Sequence, residues 1–155
     1  MARYWLPPQD HSPITQPAAS CALRPHPESV ARAREFTRIT LQDWGLAGLL
    51  TEAELVVSEL VTNALRHGLS RPGPGPAGAG HPIRLRLMAQ APYLMCMVTD
   101  PSRAIPLRRA QDQDAESGRG LQVIESCCSR WGWHLLDDGG KMVWALLPTP
   151  SPRVL

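Results

Sequence analysis

Hydrophobic and polar positions along this chain follow two different periods, which distinguish helices from strands. Apolar residues recur at helical spacing over residues 28–44, 51–67 and 121–131. They alternate with polar residues over 83–89, and over 94–100 they form a continuous run that ends in an aspartate, as in a central strand. This order predicts an α+β two-layer sandwich: a mixed, mainly antiparallel sheet with three helices on one face.

The last apolar stretches of the chain predict a hairpin. WGWHLL and KMVWALL flank the sequence Asp137-Asp138-Gly139-Gly140. Aspartates followed by glycines favour a tight turn, because glycine adopts positive φ without steric cost. We therefore expect two antiparallel strands on either side of this turn.

Proline marks the borders of the predicted domain, because it lacks a backbone donor and is excluded from helix interiors and central strands. Six of the 16 prolines lie in residues 1–27, four lie in 70–82, and three lie in the last eight positions. We therefore predict a flexible N-terminal tail over 1–27, with room for one edge strand. A single domain follows over 28–147, with a Gly/Pro loop over 70–82, and a C-terminal tail covers 148–155.

Composition narrows the class of protein. Hydrophobic residues make up 43% of the 155 residues, enough for a packed core, and the net charge is only +2. Such a mild charge gives no reason to expect binding to nucleic acid or to a membrane surface. No run reaches the roughly 18 apolar residues of a membrane span, and MARYWLPPQD lacks an apolar signal core. We expect a soluble cytoplasmic protein, and the near-exclusive use of arginine as the basic residue points to a GC-rich bacterial genome.

Three polar residues lie at the border of the apolar face of the second predicted helix. Glu59, Asn63 and His67 follow one another at intervals of four positions, so they form one stripe along the helix. A carboxylate and an amide one turn apart can hold a water molecule and a divalent cation. Mg²⁺ accepts such a neutral carbonyl oxygen while it keeps several waters. The alternative is that both side chains bind only solvent or a neighbouring loop.

A carboxylate ends the continuous apolar strand. In a straight strand Asp100 shares its face with the apolar residues Leu94 and Cys96, so it needs a donor or a ligand to offset its desolvation. One suitable donor is an amino group such as the exocyclic group of a purine. The alternative is an aspartate that caps the loop before Pro101.

A long connection, residues 101–118, leads to the third predicted helix. Connections beyond about 12–15 residues inside a small domain are usually functional lids or disordered. This one ends in Gly118-Arg119-Gly120, directly before the apolar helix. Backbone amides at a helix N-terminus favour an anion, so this border is a candidate phosphate site. The alternatives are a tight turn at the glycines and arginines that face solvent.

The order of these features is more informative than any one of them. In order along the chain, the sequence predicts a cation site, an acceptor for the edge of a base, a mobile loop and a phosphate site. Gly140-Lys141 follows these features on the hairpin. A single nucleotide could contact all of them.

Four stretches of this sequence together resemble the ATP-binding domain of histidine kinases, type II topoisomerases and anti-sigma-factor serine kinases: SELVTNALRHG, VTDPS, SGRGLQVIE and GGKMVWALL. The resemblance covers about residues 26–148 and is strongest to the small stand-alone bacterial regulators of the last branch. It implies the Bergerat ATP-binding fold, a left-handed βαβ-type sandwich that binds ATP and Mg²⁺ between the helices and the sheet. It also implies that residues 101–118 are the ATP lid.

The resemblance assigns roles to residues within these motifs. It implies that Glu59 is the catalytic residue, as a general base or as the group that orients water. It implies that Asn63 is the Mg²⁺ ligand and that Asp100 accepts a hydrogen bond from the adenine amino group. The remaining cofactor-binding residues that it implies are Gly118, Arg119, Gly120, His67 and Lys141.

Two functions follow from this resemblance. The first is a Mg·ATP-binding regulator of transcription, an anti-sigma-factor-type serine/threonine kinase that phosphorylates an antagonist protein and sequesters a sigma factor in alternation. The second is a non-catalytic interaction module of the same fold, with weak or lost nucleotide binding. Two departures motivate the second: Ser102 stands where relatives usually have glycine, and Met142 stands where many have threonine. Whether the chain forms a homodimer stays open.

Overall fold

The computed structural model describes residues 17–68, 83–102, 119–137 and 139–150. Its strands are β1 (Ala18–Leu23), β2 (Ile83–Gln90), β3 (Tyr93–Asp100), β4 (Arg130–Leu135) and β5 (Lys141–Pro148). Its α-helices are α1 (Glu28–Asp43), α2 (Leu50–Gly68) and α3 (Arg119–Cys127), and a 3₁₀ turn at Ala47–Leu49 leads into α2. None of the helices in these ranges is sufficiently long and apolar to cross a lipid bilayer.

The described strands form one open sheet in the order β1-β2-β3-β5-β4. Every pair of neighbours within it is antiparallel. Because β5 lies antiparallel between β3 and β4, these two strands run in the same direction, and α3 belongs to the connection between them. The predicted α+β two-layer sandwich is confirmed, and among the described strands the sheet is antiparallel rather than mixed.

The structure shows one strand that the proline pattern left open and one helix that ends elsewhere than predicted. Strand β1 lies inside the predicted tail over 1–27, as the one edge strand for which the proline pattern left room, and it pairs with β2. The third helix ends at Cys127 instead of residue 131, and Trp131 lies in β4 opposite Ala145. An apolar run that crosses from a helix into a strand does not show where its period changes.

The main hydrophobic core lies between the helices and one face of the sheet, which we call the inner face. Among the helices, α2 contributes most of the buried side chains of this core: Ala53, Val56, Val57, Leu60, Val61, Ala64 and Leu65. The sheet contributes alternate residues of three strands, as a half-buried sheet should. These are Ile83, Leu85, Leu87, Leu94, Cys96, Val98, Val143, Ala145 and Leu147.

A second cluster of buried side chains lies on the opposite face of the sheet, which we call the outer face. We call it the methionine cluster, and its members are Met88, Met95, Met97, Trp144 and Leu146, with Met142 packed against them. Strand β3 is central and has buried side chains on both faces. This burial explains why its sequence is apolar without interruption, as expected for a strand that is covered twice.

Trp144 of the methionine cluster lies across a glycine of the neighbouring strand. Gly132 and Trp144 are opposite each other in the pairing of β4 with β5. A Cβ atom on Gly132 would lie 2.6 Å from Cζ2 and 2.9 Å from Cε2 of the Trp144 indole. Because Gly132 has no side chain, the buried indole of Trp144 can occupy this position on the sheet.

The substitution Gly132→Ala should lower the free energy of unfolding by about 1–3 kcal/mol, because the added methyl group overlaps a buried ring that must move. Gly48→Ala is the matched control, since a Cβ there would meet nothing within 4 Å. Urea denaturation of both variants measures the difference. Equal stability of the two variants would contradict this description of the packing.

Candidate functional site

A buried ion pair joins two neighbouring strands at one end of the inner face. Asp100 is the last residue of β3 and Lys141 is the first of β5, and the register places them opposite each other. Asp100 Oδ1 accepts a hydrogen bond from Lys141 Nζ at 3.1 Å, and Oδ2 lies 3.0 Å from the same nitrogen. The side chains are 1% and 3% exposed, respectively. Each charge is thus removed from water and neutralised by the other.

A backbone amide fixes the same carboxylate. The N–H of Ser102 donates to Asp100 Oδ1 at 2.8 Å. An aspartate that accepts from the amide two residues later forms an Asx turn, which holds the chain in a defined bend. The two interpretations of Asp100 are therefore compatible, because it caps the turn after β3 and also lies among the inner-face residues. Ser102, which stands where the resemblance led us to expect glycine, supplies that amide.

Gly140 brings the hairpin against the end of β3. Its φ is +89°, and a Cβ on it would overlap the backbone carbonyl oxygen of Asp100. Glycine is required for both reasons, since L residues with a side chain rarely adopt this φ and none fits the space. The turn is closed by a hydrogen bond of 3.0 Å from the amide of Leu136 to the carbonyl of Gly140. This close approach places Lys141 next to Asp100.

Glu59 and Asn63 lie one turn apart on α2, as predicted. Both are half-buried, whereas Leu60 between them is buried, so they occupy the border of the apolar face. Helix α2 packs against β3 and β5, which are the strands that carry Asp100 and Lys141. Helix α2 therefore carries an acid and an amide, and the two strands against which it packs carry the ion pair.

These residues fit a magnesium ion that is bound together with phosphate. In the part of the chain that the structure describes, no three His, Cys, Asp or Glu side chains are grouped so that they could hold an ion. Mg²⁺ in nucleotide sites commonly takes one or two protein ligands and completes its shell with waters and phosphate oxygens. A single half-buried amide such as Asn63 meets that requirement, and Glu59 is one helical turn away.

Several predicted site residues fall wholly or partly outside the description. Helix α3 begins at Arg119, so Arg119 and Gly120, which were predicted to precede the helix, lie in its first turn. Gly118 itself lies outside the described residues, and so does most of the predicted lid. For His67, Arg119 and Gly120 the structure describes the helical backbone but not the surroundings of each residue. Their predicted roles stay predictions.

Met142 lies on the other face of the sheet from the site. It is opposite Thr99 in the register and packs against the methionine cluster. Asp100 and Lys141 are the next residues along the two strands, so they point to the inner face. The missing hydroxyl at position 142 therefore changes the outer face and leaves the inner face untouched.

The pairing of Asp100 with Lys141 is the feature that sequence reasoning missed. Both residues were predicted as separate contacts to the nucleotide, and the need of Asp100 for a donor was recognised. The partner could not be found, because strands β3 and β5 are separated by a helix and another strand. Gly140 before the only lysine of the chain was the one available signal.

An α+β domain with an acidic and an amide side chain on the covering helix, and a carboxylate at the end of a central strand, agrees with the nucleotide-binding class that the motifs resemble. The family model of the histidine kinase-like ATPase domain matches residues 23–147. The chain therefore belongs to the histidine kinase-like ATPase domain family, and the resemblance inferred from its motifs is confirmed. A search of curated proteins gave no significant match. Family membership implies that the domain binds ATP, typically with Mg²⁺.

The substitution Lys141→Met should lower the free energy of unfolding by about 3–5 kcal/mol, because it leaves the carboxylate of Asp100 buried without its cation. The double variant Asp100→Leu/Lys141→Met should be less unstable than the sum of the two single changes. Urea denaturation of the three variants measures this coupling.

Arg34→Met, which removes an exposed cation from α1, is the control and should change stability by at most about 0.5 kcal/mol. If Lys141→Met were as mild as this control, or if the two site substitutions were simply additive, the ion pair would not have the role described here.

Proposed function

We propose that this chain is an ATP-dependent protein kinase of the anti-sigma-factor type. In this proposal it binds Mg·ATP, transfers a phosphoryl group to a serine or threonine of a small antagonist protein, and sequesters a sigma factor in alternation with that reaction. The observation that carries the catalytic part is the half-buried pair of Glu59 and Asn63 on the helix that covers the site strands.

Asp100 supplies the recognition of the base in this proposal. An ion pair requires the ionised carboxylate, which only accepts hydrogen bonds, and the adenine amino group is a donor. Lys141 and the amide of Ser102 hold this carboxylate in one orientation at the end of β3. The adenine ring would then lie between the helical layer and the inner face, where apolar side chains surround it.

Glu59 and Asn63 supply the chemistry at the other end of the nucleotide. Asn63 would hold the Mg²⁺ ion that neutralises charge on the phosphates. Glu59 would accept the proton of the attacking hydroxyl as its oxygen bonds to the γ-phosphorus and the bond from that phosphorus to ADP breaks. Positioning and electrostatic stabilisation provide most of the catalysis in reactions of this type.

The partners in this proposal follow from the motif set. SELVTNALRHG, VTDPS, SGRGLQVIE and GGKMVWALL together resemble the stand-alone regulators that switch between a sigma factor and an antagonist. The family match over residues 23–147 supports a regulator that uses this domain.

One observation favours a second candidate, a non-catalytic interaction module of the same fold. Lys141 neutralises Asp100 within the protein, so this end of the sheet is complete without a nucleotide. A protein of this kind would use the fold to bind its partner and would not depend on Glu59.

The substitution Glu59→Gln should reduce phosphoryl transfer from radiolabelled ATP to a serine-containing antagonist by roughly 100-fold or more, the usual contribution of a general base. ATP affinity should change little, because the amide has almost the same shape. Glu54→Gln is the matched control: it is also half-buried on α2, but it lies about 140° around the helix from Glu59.

Transfer rates and calorimetric ATP affinities of the three proteins separate the two candidates. If wild type and Glu59→Gln transfer phosphate equally, Glu59 has no catalytic role. If wild type binds ATP and its partner but transfers nothing to any candidate antagonist, the interaction module is the correct function.

A further inference from the structure

The methionine cluster is more deeply buried than one layer of sheet explains. Met95 is 1% exposed, Met97 5%, and Met88 8%. All described members of this cluster come from β2, β3 and β5. The buried hydrophobic residues of the described helices belong to the main core on the other face.

An antiparallel sheet with one face in water normally carries polar residues on that face. The outer face follows this rule at Arg84 and Arg86 of β2, which are both exposed. The methionine cluster does not follow this rule, because large apolar side chains occupy adjacent positions in it. Met88 lies opposite Met95, and Met95 lies opposite Leu146. This part of the face therefore needs a second covering layer.

Pro17, which directly follows the N-terminal segment (residues 1–16), lies at the edge of this cluster. The amide of Ala89 donates to the carbonyl oxygen of Pro17 at 2.9 Å, and Ala18 lies opposite Met88. An extended chain covers about 3.3 Å per residue, and neighbouring strands are about 4.8 Å apart. The segment is therefore long enough to cross β2, β3 and β5.

The composition of the N-terminal segment suits the surface beside it. It contains the consecutive apolar residues Tyr4, Trp5 and Leu6. Methionine makes favourable contacts with aromatic rings and adapts its shape to them. A groove of about 380 Å³, lined by residues that include Met95 and Leu146, adjoins the cluster and offers space for an aromatic side chain.

We propose that the N-terminal segment folds back over the outer face and that Tyr4, Trp5 and Leu6 cover the methionine cluster. The sandwich then has three layers: the helices, the sheet and this segment. The competing occupants are the C-terminal residues 151–155, which contain Val154 and Leu155, and the outer face of a second copy of this chain.

Methionine oxidation tests this proposal on the full-length protein. In the variant Tyr4→Ser/Trp5→Ser/Leu6→Ser, we expect hydrogen peroxide to oxidise Met88 and Met97 roughly tenfold faster than in wild type, because exposure governs sulfoxide formation. The control variant Gln9→Ser/Asp10→Ser/His11→Ser changes the same segment without removing apolar side chains, and its methionines should react as in wild type. Peptide mass spectrometry measures each site.

Cys96 reports whether the rest of the fold stays intact. It lies between Met95 and Met97 but faces the inner core, and burial raises the pKa of its thiol far above the ordinary value. Iodoacetamide should therefore leave Cys96 unmodified in every variant while the methionines react. If the triple variant exposes Cys96, the milder variant Trp5→Ser is evaluated by the same criteria.

Three results would overturn the proposal. The first is unchanged methionine oxidation in the folded variant. The second is faster oxidation in Val154→Ser/Leu155→Ser but not in the N-terminal variant, which would assign the cover to the C-terminus. The third is protection that is lost when the wild type is diluted and its molar mass by light scattering falls from dimer to monomer, which would assign the cover to a second copy.

Discussion

The buried ion pair between Asp100 and Lys141 determines how the site end of this domain is built. Two charges removed from water are tolerable only when each lies within hydrogen-bond distance of the other, because their desolvation cost is otherwise unrecovered. The end of β3 must therefore meet the beginning of β5 at this one register. Gly140 permits the close approach, and the amide of Ser102 donates to the same carboxylate oxygen as Lys141. The register of β3 with β5, the glycine at position 140 and the amide of Ser102 thus all support this buried ion pair.

The same two strands connect the two faces of the sheet. Residues 99 and 142 point to the outer face, and the neighbouring residues 100 and 141 point to the inner face. A substitution on the outer face therefore leaves the site on the inner face unchanged, even when the two positions are adjacent in sequence. This alternation explains why Met142 does not contradict nucleotide binding. It also explains why Lys141, which directly follows the hairpin turn, belongs to the site.

Sequence periods predicted most of the fold. The three helices, the alternation in β2, the apolar β3 and the hairpin of β4 with β5 follow from local patterns that the structure reproduces. Strand β1 was harder to predict, because it is short, lies at the sheet edge and is exposed at every second position. The end of α3 was misplaced because its apolar run continues into β4.

The candidate site was predictable where it is local and unpredictable where it is not. Glu59 and Asn63 share one helix, so their spacing alone placed them together. Asp100 and Lys141 meet through the pairing of two strands that are far apart in the chain, and no local pattern specifies that pairing. The role of the Ser102 amide also required the observed turn.

The comparison of ATP with GTP by calorimetric titration of the full-length protein in the presence of Mg²⁺ tests the central claim most directly. Guanine carries a carbonyl oxygen where adenine carries its amino group, so it would face the carboxylate of Asp100 with a second acceptor. The account predicts that ATP binds and that GTP binds at least roughly tenfold more weakly, the cost of an unmade hydrogen bond to a charged group. Equal affinity for the two nucleotides, or no ATP binding at millimolar concentration, would contradict it.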